Sequence, residues 1–88
     1  MLRRAQGDLT SARAYFERTL AIREQVLGSD HPSTAISLNN LGLVLRDQGD
    51  LAGACAYLGR ALNILQARLG DHHPDTMRVR ANLQALRS

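Results

Sequence analysis

Between Leu51 and Leu69 the apolar side chains recur at steps of three and four residues, through Leu51, Ala54, Leu58, Ala61, Leu62 and Leu65. That spacing lays one apolar stripe along a helix. The Gln48-Gly49-Asp50 triplet in front of it predicts a turn: Gly49 can take the left-handed conformation that closes a helix, and Asp50 can cap the next one by accepting a backbone N–H bond. Gly70 ends the stretch. Upstream, Leu38, Leu41, Gly42 and Leu45 pattern a second helix over 33–47. Pro32 is tolerated at its start, because the earliest helical N–H groups have no intrahelical partner.

The pattern repeats. Shifted by 42 residues, the stretch from Gln6 realigns without a gap onto the stretch from Gln48, and 18 of the 46 overlapping positions are identical. Turn residues (Gly28/Gly70, His31/His73, Pro32/Pro74) and core residues (Ala12/Ala54, Leu20/Leu62, Leu41/Leu83) match in one register, which marks a repeat architecture. The chain therefore reads as helices at about 9–27, 33–47, 51–69 and 75–87 of a single module over 1–88, all-α, with one complete hairpin at 33–69 between two half-repeats. Residues 1–6 are expected to be the tail of a preceding helix of the 33–47 type.

Two segments carry a family likeness: the connector Leu27-Gly28-Ser29-Asp30-His31-Pro32-Ser33-Thr34, and Leu38-Asn39-Asn40-Leu41-Gly42. With the small and large positions Ala54, Leu58 and Ala61 they resemble the tetratricopeptide repeat, in its longer form of about 42 residues found in kinesin light chains. The resemblance covers nearly the whole chain. It implies a solenoid of antiparallel helix hairpins in a right-handed superhelical stack. Its first helices (A) line a concave groove for a protein or peptide segment, and its second helices (B) form the back. Carried over, the groove residues are Ile36, Asn39, Asn40, Leu43, Arg46 and Asp47, with Arg78, Ala81, Asn82 and Ala85. An Asn amide can clamp a peptide backbone as both donor and acceptor, and Arg46 and Arg78 can grip a carboxylate.

The two ends differ in pattern. Where the central A helix has Leu38, Gly42 and Leu45, the last helix has Arg80, Gln84 and Arg87, the polar outer side that a solenoid needs to terminate. Helix 9–27 has no such device. Its face near Phe16 and Leu20 is expected to lie uncovered, so pairing with a second copy is the alternative function.

Composition narrows the chemistry. At 88 residues with 44% hydrophobic content, the chain can form one small core. Aromatics are 3% (Tyr15, Phe16, Tyr57), so that core must be built of Leu, Ile, Val and Ala. All eleven basic residues are Arg, giving net charge +3, but they scatter from Arg3 to Arg87 without interleaved aromatics, so a nucleic-acid partner is not expected. The lone Cys55 excludes an internal disulfide, and no apolar run reaches membrane-span length. With no signal pattern, a reducing, cytoplasmic setting is expected. Asp71, His72, His73 and Asp75 could suggest a metal, yet His31 and His73 share one connector slot and read as helix-start residues. No metal, cofactor or catalytic activity is expected.

Overall fold

The computed structural model describes residues 6–88, with side chains from Asp8 onward. Helices α1 (Gln6–Leu27), α2 (Pro32–Asp47), α3 (Leu51–Leu69) and α4 (Pro74–Arg87) follow one another, with no strand among the described residues. α2 packs between α1 and α3, and α4 packs on the far side of α3.

The helix ends follow the local chemistry. His31 and His73 sit at the N-caps of α2 and α4, where each Nδ1 accepts a backbone N–H two residues on, from Ser33 and Asp75, both at 3.0 Å. The prolines that follow them contribute no orphan N–H, so each helix begins one residue earlier than expected. Thr34, fully buried, donates its hydroxyl to the Gly28 carbonyl at 2.8 Å and ties the first connector to its helix. Between α2 and α3, Gly49 takes φ +89°, which an L side chain rarely adopts. Asp50 then accepts from the Gly53 N–H at 2.9 Å, as a capping carboxylate should.

The N-terminal expectation changes. The expected helical tail at Met1–Gln6 lies outside the described residues except for Gln6, which opens α1. The Gln6-Gly7-Asp8 triplet is helical, whereas its counterpart Gln48-Gly49-Asp50 forms the turn. The turn is held by bonds back to α2, from the Gly49 N–H to the Arg46 carbonyl at 3.0 Å and from the Asp50 N–H to the Leu45 carbonyl at 2.9 Å. No described helix precedes α1 to hold the first triplet in that way.

The core lies on both sides of α2. Ala35, Leu38 and Leu41 meet Leu58, Ala61 and Leu65 of α3, joined by Leu20 of α1 and by Val79 and Leu83 of α4. The aliphatic composition expected from the sequence is the one found. Gly42 permits the closest approach: a Cβ there would stand 3.0 Å from Leu58 Cγ and 3.3 Å from the Ala54 carbonyl oxygen. Packing this tight resembles an organic crystal, so volume changes at the α2–α3 contact are costly.

Candidate functional site

α2 and α4 are equivalent helices one period apart, and their free faces form the expected binding surface. On α2, Ile36, Asn40 and Leu43 are half-buried, while Arg46 and Asp47 are exposed. On α4, Arg78, Ala81 and Ala85 are exposed and Asn82 is half-buried. The surface is thus a shallow apolar strip with polar margins.

The asparagines divide into two roles. Asn39 is buried, 4% exposed, and its carbonyl oxygen accepts from the Asn82 amide at 3.1 Å. This bond joins α2 to α4 across the inner surface, so Asn39 and Asn82 set the spacing of the two helices. Asn40 stands at the margin nearer the chain start, with no side-chain partner among the described residues. Of the three asparagines expected at the face, Asn39 and Asn82 bond each other, and Asn40 is the one without a side-chain bond among the described residues.

The arginines are tethered. Arg46 contacts the Asp47 carboxylate at 3.1 Å, and Arg78 bonds Asp75 one turn back at 3.1 Å. Both guanidiniums are exposed, so these pairs hold orientation more than they add stability. A ligand carboxylate can exchange for either partner, since Arg has further donors in its planar fork. What the surface offers is apolar contact from Ile36 and Leu43 with cationic donors at its two ends.

A second surface lies on α1, and here the expectation needs correction. Leu20 is buried, 7% exposed, and Phe16 is half-buried against the core. Both are turned toward the core, on the side of α1 that packs against α2. Of the large apolar side chains exposed on α1, which include Leu27 at its end, Tyr15, Ile22 and Val26 stand out at 65%, 54% and 72%. They repeat at seven and four residues, which aligns them on one side of the helix. Val26 gave a signal in the sequence, since Arg68 holds its place in the second copy.

Sequence reasoning also missed the ion pair between Arg60 of α3 and Glu24 of α1, at 3.2 Å. The identity of Arg18 and Arg60 across the repeat was its available sign. At the far end, Arg80 bonds the Asp71 carboxylate at 2.9 Å, so the polar outer side of α4 is folded onto its own connector.

Among the described residues, no group of three or more His, Cys, Asp or Glu is arranged to hold a metal ion. Cys55 is half-buried on α3 beside the core. No described helix is long and apolar enough to cross a membrane.

With this geometry in place, comparison with known proteins gives two matches. Residues 1–52 match a family model described as tetratricopeptide repeat, and residues 34–75 match a second model of the same description. The second match spans 42 residues, one period of the internal repeat. No curated protein matches the chain.

Proposed function

Since the chain belongs to the tetratricopeptide repeat family, whose repeats mediate protein–protein interaction, we propose that it binds a peptide or protein segment across α2 and α4. The observation that carries this reading is the apolar strip of Ile36 and Leu43, half-buried between two tethered arginines. The strip supplies contact area, Arg46 and Arg78 supply charge-assisted hydrogen bonds to an acidic side chain or chain terminus, and in the chain alone Asn40 offers its amide to a peptide carbonyl. Asn39 and Asn82 act beneath the ligand by fixing the helix spacing.

No reaction is assigned to the chain; it acts as a scaffold. A reducing, cytoplasmic setting belongs to the same reading. Self-association is the second reading. It rests on the exposed Tyr15, Ile22 and Val26, a surface separate from the α2/α4 strip.

Peptides selected from a random displayed library against the chain provide the test. They should shift the backbone NMR signals of Ile36, Leu43 and Arg78 and leave those of Ala56 and Arg60 on α3 unmoved. Leu43→Glu combined with Arg78→Glu should abolish binding without loss of helicity. Selected peptides that map to α1 or α3, or that tolerate the double substitution, would move the site elsewhere.

A further inference from the structure

The two arginines of the α2/α4 strip stand on different helices and at opposite ends of it. α3 turns back on α2 through residues 48–50, and α4 turns back on α3 through residues 70–73, so α2 and α4 run the same way. The Asn82–Asn39 bond, at 3.1 Å, marks where the two helices stand level. From that point Arg46 lies seven residues onward along α2, and Arg78 lies four residues back along α4. At a rise of about 1.5 Å per residue, the two positions are about 16 Å apart along the helix axes. With roughly 10 Å between neighbouring helices added sideways, the direct separation is about 19 Å.

Neither guanidinium is spent on joining the helices. Each is exposed and bonds an Asp of its own helix, Asp47 for Arg46 and Asp75 for Arg78. The planar fork has donors enough to keep that partner and take a second carboxylate. The groups between the arginines constrain the backbone that lies across them. Asn82, half-buried, spends a side-chain N–H on Asn39 and keeps its carbonyl, and Asn40 has no side-chain bond among the described residues. A chain whose backbone N–H and C=O groups are free can meet both, as an extended segment does; a helix has already paired its own.

Resting on the strip as the binding surface, we propose that it selects an extended segment with two carboxylates at a fixed spacing, one held by Arg78 and the other by Arg46. An extended chain advances about 3.3 Å per residue, so the two acidic residues stand about five or six positions apart. An apolar side chain between them rests on Leu43, which precedes Arg46 by one turn. The ligand crosses the strip obliquely, from the start of α4 to the end of α2, and does not follow one helix.

The spacing separates this ligand from others that cationic ends would attract. A single acidic cluster, or two acidic residues only about two to four positions apart in an extended chain, reaches one arginine and leaves the other in water. A helical ligand would need about twelve positions between its carboxylates to span the same distance.

The probes are synthetic peptides of serine and threonine with one central leucine and two aspartates, whose separation runs from about two to about twelve positions. Titrated into the intact chain by fluorescence anisotropy, they should bind best at about five or six positions. There the peptide should bind about fivefold more tightly than the same peptide with either aspartate replaced by asparagine. Arg46→Gln should erase the gain from one aspartate and Arg78→Gln the gain from the other, each variant being indifferent to loss of its own partner. Both side chains are exposed, so circular dichroism of the two variants should match the parent. The proposal is overturned if affinity does not depend on spacing, if it peaks at two to four positions or near twelve, or if both arginine variants act through the same aspartate. If library-selected peptides map to the strip while the spacing series is flat, the two-point ligand fails and the peptide-binding reading stands. If those peptides map elsewhere, both fail.

Discussion

Helices α1 and α3 descend from one pattern and end in different surroundings. On α3, Ala54, Leu58, Ala61 and Leu65 are fully buried; their counterparts on α1, Ala12, Phe16, Thr19 and Arg23, are only half-buried. α3 lies against both α2 and α4, whereas among the described residues α1 packs mainly on α2 and reaches α3 through the Glu24–Arg60 pair. Arg23 shows how the sequence meets this: in the place of Leu65 it reaches across to the Ser37 hydroxyl at 3.1 Å and the Ser33 carbonyl at 3.3 Å. In a stack where each helix touches only its neighbours, a side chain's energetic weight depends on which neighbours are present.

The largest expected effect tests that contrast directly. Leu58→Ala should cost about 2–5 kcal/mol, because its cavity would open in the middle of the α2–α3 contact. Phe16→Ala, one period earlier, removes a larger side chain but should cost only about 1–2 kcal/mol, since part of it already meets water. Urea unfolding followed by circular dichroism ranks the two. A larger loss for Phe16 would mean that α1, and not α3, anchors the core.

Next in size is a pair of glycines on the same hairpin. Gly42→Ala places a methyl 3.0 Å from Leu58 Cγ, an overpacking expected to cost about 1–3 kcal/mol. Gly59 on α3 has nothing within 4 Å of its would-be Cβ, so Gly59→Ala should stabilise by roughly 0.5–1 kcal/mol through helix propensity. Opposite signs in thermal unfolding would locate the α2–α3 contact on one side of each helix. Of comparable weight is Asp50→Ala, expected to cost about 1 kcal/mol with the lost cap on α3. Gly7 and Asp8 head a helix that runs through them, so Asp8→Ala should cost less, and equal losses would argue for a turn there as well.

How far the sequence foretold this structure varies with range. The three-and-four spacing, the Gly49–Asp50 turn and the His-Pro connectors are local chemistry, and the helix starts and stops follow from them within a residue or two at every end but one. The exception is Gln6–Asp8, where identical residues need a preceding helix before they can turn. Site residues were harder to place. Asn39, Asn40 and Asn82 look alike as letters, and only the packing of α4 beside α2 shows that two of them bond each other. The exposed stripe on α1 was misassigned to Phe16 and Leu20 because periodicity gives the apolar side of a helix but not which part of it a neighbour covers. The Arg60–Glu24 pair joins residues 36 apart in sequence, a contact that no local pattern encodes.

The smallest expected effect on stability is also the sharpest test of the contrast between α1 and α3. Val26→Arg copies onto α1 the residue that α3 has in the same place, Arg68, which is exposed there. Val26 is 72% exposed, so little apolar contact is lost, and the melting temperature should stay within the shift given by about 0.5 kcal/mol. A guanidinium at this place remains in water while the face is open, and must shed that water once a helix covers it. The substitution should therefore be silent in the chain alone and disruptive in a complex. A marked loss of stability in the isolated chain would show that Val26 is already covered, and that α1 is not the open member of the pair.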